Sequence, residues 1–311
     1  MQKILITGAS GFIGSHTADT LLGAGKQVIG IDDFSTGRRE NLNQALASDA
    51  FSLVEADITE PGAVEAVVAE HRPDSIVHLA ALVSVPAGEE DPAKNFRLNV
   101  TGTQLVAEAA RQHQVKRTVF ASSAAVYGNS TALPLEEAGQ TVPISQYGAA
   151  KLMSEQLLRA YASSYGISSI CFRFFNVYGP RQDPKSPYSG VVSIFAERYI
   201  SAQQVTVFGD GEQSRDFIFV KDLAQAIAGA ASDPAQEDGV YNLCTGRSST
   251  LLDLIAILQE AYPEVPSPAF AEDRAGDIKH SLGDPAAARN RLGFEAKTPF
   301  PDGIRALLDS L

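Results

Sequence analysis

Tyr147 and Lys151 stand four residues apart in Tyr147-Gly148-Ala149-Ala150-Lys151, a spacing that sets a phenol and an ammonium on one helix face, one turn apart. A free phenol titrates at about 10, too high for a base at neutral pH. A neighbouring cation stabilises the phenolate and lowers that value, so the pair is a candidate proton-transfer site. Just upstream, Phe120-Ala121-Ser122-Ser123 ends an apolar run and supplies hydroxyls. Near the start of the chain, Gly8-Ala9-Ser10-Gly11-Phe12-Ile13-Gly14 spaces three glycines as GxxGxxG. Glycines in this arrangement permit a tight turn, close backbone approach to a pyrophosphate and close helix-strand packing. The N–H groups at the start of a following helix would meet the anion. Asp32 lies 18 residues beyond Gly14, with Asp33 beside it. A carboxylate there binds both hydroxyls of an adenosine ribose and repels a 2′-phosphate, which favours NAD over NADP; Arg38 and Arg39 are the side chains that would argue the other way.

These groups need a scaffold, and its rhythm is visible. Ile4–Thr7, Gln27–Ile31, Phe51–Glu55, Ser75–Leu79, Thr118–Ser122 and Ser169–Phe174 are short, nearly continuous apolar runs. Runs apolar on both faces belong to parallel strands covered by helices on each side. Helical patterns over Gly14–Ala24, Pro61–His71, Asn99–His113 and Ser145–Tyr165 fall between them. The alternation predicts an α/β fold with a doubly wound parallel sheet, a Rossmann unit over 1–177. Beyond Tyr178 the rhythm loosens. A breaker-rich stretch from Gly179 to Pro187 reads as a surface loop. Helices over Val191–Ala202, Asp222–Ala231 and Thr250–Ala261, with strands at Val205–Phe208 and Val240–Leu243, predict a smaller α/β substrate unit over 178–311. Some of its elements are free to return to the first sheet.

Composition narrows the classes. The chain has 311 residues, is 44% hydrophobic and 20% charged, a globular balance able to bury a core without metal or disulfide staples. A formal charge of −12 without a basic tract argues against nucleic acid as a partner. No apolar run reaches the length that spans a bilayer, and the N-terminus enters a strand directly without a leader pattern. Cys171 and Cys244 sit far apart in apolar runs and predict free buried thiols in a reducing, cytoplasmic setting. The five histidines show no ligand spacing, and His16 and His78 read as packing residues beside the glycine turn, so no metal is expected.

Taken jointly, Gly8–Gly14, Ser123, Tyr147 and Lys151 resemble the extended short-chain dehydrogenase/reductase superfamily. The segments SSAAVYG (122–128), FRFFNVYGPRQ (172–182), VFGDGEQSRDFIFVKD (207–222) and RAGDIKHSLGD (274–284) resemble its nucleotide-sugar branch, the UDP-hexose 4-epimerases. The resemblance implies that Tyr147 is the general base, Lys151 its electrostatic partner and Ser123 the hydroxyl that meets the sugar 4-OH. It implies a tightly held NAD, bound by Gly8, Gly11, Phe12, Ile13, Gly14, Asp32, Asp33, Ser35 and Gly37. The adenine would lie near Asp57 and Ile58, and the nicotinamide side near Leu79, Ala80, Ala81, Tyr147 and Lys151. Asn176, Arg215 and Arg274 correspond to contacts with the nucleotide-sugar phosphates, a role that suits forked guanidinium groups. Asp277 corresponds to a uridine-ribose contact.

The activity so implied is 4-epimerisation of a UDP-hexose through a 4-keto sugar, with no net change in the cofactor. Ala124 and Ala125 follow Ser123 where 4,6-dehydratases carry Asp-Glu and decarboxylases a Glu, and alanine can serve neither chemistry. Ser281 stands where narrow-pocket epimerases carry a tyrosine, which implies room for UDP-N-acetylglucosamine and UDP-N-acetylgalactosamine beside UDP-glucose and UDP-galactose. A UDP-uronate 4-epimerase is the near alternative; a non-catalytic NAD-sensing regulator on the same fold is the alternative from another class. Family members pair as homodimers through helices corresponding to Asn99–His113 and Tyr147–Tyr165.

Overall fold

A computed structural model describes residues 1–184, 190–273 and 278–311. The predicted strands form in order: β1 (Lys3–Thr7), β2 (Gln27–Asp32), β3 (Phe51–Glu55), β4 (Ser75–His78), β5 (Arg117–Ser123) and β6 (Ser168–Phe174). Shorter strands follow: β7 (Asn176–Tyr178), β8 (Thr206–Phe208), β9 (Ser214–Arg215), β10 (Phe217–Phe219), β11 (Gly239–Leu243), β12 (Ser249–Thr250) and β13 (Ala269–Ala271). Among the described residues the central sheet has seven strands, all parallel, in the order β11-β6-β5-β4-β1-β2-β3. This is the doubly wound arrangement expected from the apolar runs. β1 sits between β2 and β4, so the chain reverses its winding there and opens a crevice at the carboxyl ends of those strands.

Helices Phe12–Gly23 and Val220–Ser232 pack together over one face of the sheet; Ala63–His71, Gly102–Gln112 and Gln146–Tyr165 cover the other. A separate apolar core joins helices Val191–Ile200, Leu251–Ala261 and Phe300–Leu308 in a smaller lobe. The chain does not divide serially at 177. Helix Val220–Ser232 and strand β11 return from the later part to the main sheet, where β11 pairs with β6 in the register Gly239↔Ile170 to Leu243↔Phe174. The helix predicted over 99–113 continues one that starts earlier: Pro92–Phe96 is α-helical, Arg97–Thr101 forms a wide π-helical turn, and the α-helix resumes over Gly102–Gln112. Such turns recur at functional sites, and here the turn brings Asn99 inward.

One buried ion pair fixes the long helix to the sheet. Glu155, at 0% exposure, receives Nε and Nη2 of Arg173 at 3.0 and 2.9 Å, and the Ser122 hydroxyl donates to the same carboxylate. The three side chains come from the helix Gln146–Tyr165, β6 and β5. Removing one partner leaves a desolvated charge behind. Glu155→Gln is therefore expected to cost about 3–5 kcal/mol in urea unfolding, whereas the apolar double variant Glu155→Leu/Arg173→Met should recover most of that loss.

Candidate active site

β1 ends at Thr7, and the glycine turn begins at once. Gly8 has φ +73°, and a Cβ there would lie 2.7 Å from the Ala80 backbone nitrogen. A Cβ on Gly14 would lie 2.0 Å from the Gly8 carbonyl oxygen. Neither position accepts a side chain, so the turn is pressed against both its own helix and the loop after β4. The helix Phe12–Gly23 starts at Gly11 with no side-chain cap and no acidic residue in its first turn, which leaves its positive end to an anion. Asp32, at the end of β2, accepts from the Ser10 N–H at 2.7 Å and the Phe34 N–H at 2.9 Å. The Ser10 hydroxyl is buried with no protein partner. A cradle closed to side chains, an uncapped helix start and an orphaned hydroxyl fit a dinucleotide whose pyrophosphate lies on the turn. Arg38, which would have to face a 2′-phosphate, is paired with Asp183. Asp33 accepts from Ser35 N–H and hydroxyl, and Asp57 from the Thr59 N–H and hydroxyl, which shapes the loops on either side.

Under the other end of the crevice lies a buried polar chain. The Thr7 hydroxyl is 2.7 Å from His78 Nδ1, His78 Nε2 is 3.0 Å from the Thr103 hydroxyl, and Thr103 donates to the Asn99 carbonyl at 2.6 Å. Burial, followed by the charge of Lys151, lowers His78 to about 3. A neutral imidazole protonated on Nε2 satisfies every contact. Thr7 also accepts from the Ala80 N–H. His78 is thus a structural residue, as read from the sequence, and it holds the Leu79-Ala80-Ala81 loop in place.

Tyr147 and Lys151 share one face of the helix Gln146–Tyr165, whose start is capped by Ser145 accepting from the Gly148 N–H at 3.0 Å. They are 9% and 3% exposed. Lys151 Nζ lies 5.0 Å from the Phe120 ring centre and 5.8 Å from that of Tyr147. Ser123 closes β5, accepts from the Ala125 N–H at 3.1 Å and lines the same cavity as the Tyr147 phenol. Burial pushes the phenol above its usual range, and the neighbouring Ser123 hydroxyl works against that rise. Burial also lowers Lys151 to about 7. The arrangement offers a hydroxyl, a phenol and a lysine ready to exchange charge at neutral pH.

Gly8, Gly11, Phe12, Ile13, Gly14, Asp32, Asp33, Ser35, Gly37, Asp57, Ile58, Leu79, Ala80, Ala81, Ser123, Tyr147, Lys151, Asn176 and Arg215 all line one cavity of about 1460 Å³. Ser281 is not part of that lining: it is half-buried, and its N–H donates to the Ser214 carbonyl at 3.0 Å, beside Arg215. Arg274 and Asp277 lie outside the described residues. Asn176 donates through Nδ2 to the Asp216 carbonyl at 3.3 Å, and Arg215 through Nη1 to the carbonyls of Ser214 and Lys279.

Three groups escaped the sequence reading. Asp216 is fully buried and accepts from Thr245 N–H and hydroxyl and from the Gly246 N–H, anchoring the strand that carries Arg215. Its signal was a lone carboxylate inside the aromatic run Arg215-Asp216-Phe217-Ile218-Phe219. Asn99 braces the Ala81-Leu82 loop by exchanging hydrogen bonds with the Leu82 backbone. Arg181, Gln182 and Asp183, taken from sequence for surface loop, form part of the cavity wall.

The doubly wound sheet, the glycine turn and the Ser-Tyr-Lys group together define an extended short-chain dehydrogenase/reductase. Residues 4–244 match the model of the NAD dependent epimerase/dehydratase family. Over 304 residues the chain is 39% identical to the UDP-glucose 4-epimerase of Mycolicibacterium smegmatis, an alignment spanning 97% of this chain and 96% of that protein. The crystal structure of the Thermotoga maritima UDP-glucose 4-epimerase with UDP-glucose superposes with a TM-score of 0.93 at 35% identity, covering 99% of this chain and 98% of the other. The UDP-N-acetylglucosamine 4-epimerase of Methanobrevibacter ruminantium, in complex with UDP-N-acetylmuramic acid, gives 0.94 at 33% identity, covering 99% and 97%. The chain belongs to the NAD dependent epimerase/dehydratase family. It is an isomerase, a nucleotide-sugar epimerase, and NAD is its cofactor.

The lowered Lys151 makes a prediction about the cofactor-free protein. Between pH 7 and the ordinary lysine value the unfolded chain binds more protons than the folded one, so this residue's contribution to stability rises with pH. Lys151→Met should therefore raise the melting temperature most near neutral pH, and the advantage should shrink toward pH 10, as followed by parallel thermal melts.

Proposed function

We propose that the chain catalyses 4-epimerisation of a UDP-hexose through a 4-keto intermediate. The reading is supported above all by Ser123, Tyr147 and Lys151 lining the same cavity as the glycine turn at one end and Asn176 and Arg215 at the other. Asp32 would take the adenosine ribose, while the glycine turn takes the pyrophosphate. Arg215 and Asn176, with Arg274 and Asp277, would hold the UDP group. Ser123 would hydrogen-bond the 4-hydroxyl and orient it toward the Tyr147 oxygen. Tyr147 would take that proton, with Lys151 supplying the positive charge that offsets the cost of a buried phenolate. NAD, when bound, would supply reversible hydride chemistry at C4. Between the two transfers the keto sugar would turn in the cavity, and Tyr147 would give the proton back to the epimeric alcohol.

The sugar range is proposed to include the N-acetylated hexoses. Ser281 is small, and one of the structurally similar proteins acts on UDP-N-acetylglucosamine. We also infer a homodimer through the helices over Asn99–His113 and Tyr147–Tyr165, the second of which carries Met153 at 49% exposure.

Incubation with UDP-glucose and, separately, UDP-N-acetylglucosamine, without added NAD, should yield the galacto epimers by proton NMR. Silence on both, with NAD then supplied, would reject the hexose reading. Tyr147→Phe should lower turnover by at least about a hundredfold while NAD binding stays intact; a folded, cofactor-loaded variant with unchanged turnover would reject Tyr147 as the base. Ser281→Tyr should remove acetamido-sugar turnover and spare that of UDP-glucose, and acetamido turnover left intact in that variant would overturn the proposed role of Ser281.

A further inference from the structure

The segment Gly179–Asp183 leaves β7 three residues after Asn176 and crosses the cavity between the two lobes. Alternate residues along it face alternate sides. On the cofactor side, His16 Nε2 donates to the Pro180 carbonyl at 2.9 Å, Arg181 Nη2 meets Asp19 at 2.7 Å, and Asp183 pairs with Arg38. His16 and Asp19 lie on the helix that follows the glycine turn, and the Arg38 N–H donates to the Ser10 carbonyl inside that turn. On the substrate side, Gln182 accepts from the Ser193 hydroxyl at 2.9 Å and donates to the Val177 carbonyl. Arg181, Gln182, Asp183 and Arg38 all line the cavity.

We propose that Gly179–Asp183 is a strap that retains the dinucleotide, latched to the cofactor lobe by His16, Asp19 and Arg38. The latch is firm in number and incomplete in detail. Asp19 Oδ1 and Arg181 Nη1 are buried and have no partner, and Arg181 sits at φ +68°, a left-handed conformation that a β-carbon resists. A closure that leaves two buried polar atoms unsatisfied and one residue strained is releasable, because opening restores those atoms to water. Retention also suits an enzyme that returns hydride to the molecule that took it: a dinucleotide lost in mid-cycle would strand a ketone. The inference rests on NAD being the resident cofactor and is independent of which sugar is turned over.

The test follows the dinucleotide itself. Protein loaded with isotope-labelled NAD is chased with unlabelled NAD, and the retained label is followed by rapid filtration. Asp19→Asn and Arg181→Ala should each release label at least about tenfold faster than the parent chain, and the double variant should release it no faster than the faster single variant, because both remove one contact. Arg38→Ala, at an exposed side chain, should also accelerate release and keeps the test decisive where a buried change prevents folding. Folded variants that release label at the parental rate would overturn the strap. Failure of the parent chain to bind NAD would instead count against the cofactor reading, and absence of epimerase activity in strap-competent protein would count against the sugar reading alone.

Discussion

The site depends on how one helix is held against the sheet. Glu155 sits on the same helix as Tyr147 and Lys151, two turns beyond the phenol, and its carboxylate is shared by Arg173 of β6 and Ser122 of β5. Ser123, the next residue along β5, lines the same cavity as the Tyr147 phenol. The register of helix against sheet therefore also sets the register of hydroxyl against phenol. Arg173 further spreads its guanidinium over the Tyr127 ring at 4.8 Å, and Tyr127 donates to Asn242 of β11 at 2.6 Å. The edge strand, the loop after Ser123 and the helix are thereby joined in one buried polar network. Such a network specifies a single arrangement when all its members are satisfied.

Burial then decides the electrostatics. Tyr147, Lys151 and His78 lie together in a region with little water, and each is driven toward its neutral form: the phenol up, the lysine and the imidazole down. The charge of Lys151 adds to the lowering of His78. The phenol and the amine are thus desolvated together.

Much of this was legible in the chain before folding. β1 to β6 announced themselves as short runs apolar on both faces, and the i, i+4 spacing of Tyr147 and Lys151 required only a helix to become a site. The glycine turn and Asp32 were equally plain, because each is defined by neighbours close in sequence. What escaped depended on contacts across the fold. Asp216 reads as a lone acid until Thr245 and Gly246 arrive, and Arg181 reads as loop until Asp19 lies beneath it. The π-helical turn at Arg97–Thr101 was hidden inside an otherwise regular helical pattern. Ser281, chosen by resemblance, has its backbone engaged with Ser214, next to Arg215 of the cavity wall.

The return of β11 to the main sheet has a consequence for how the protein is made. Among the described residues, the outer side of β6 pairs with residues 239–243, and the helix Phe12–Gly23 packs against Val220–Ser232. The nucleotide-binding unit therefore cannot close while the first 177 residues alone have emerged from the ribosome. During synthesis β6 presents an unpaired edge for the time needed to add the intervening segment, and the smaller lobe begins to assemble before the larger one is complete. The two lobes are thus interleaved in time as well as in space, and a nascent chain arrested between Phe174 and Gly239 would carry an exposed strand edge of the kind that templates aggregation.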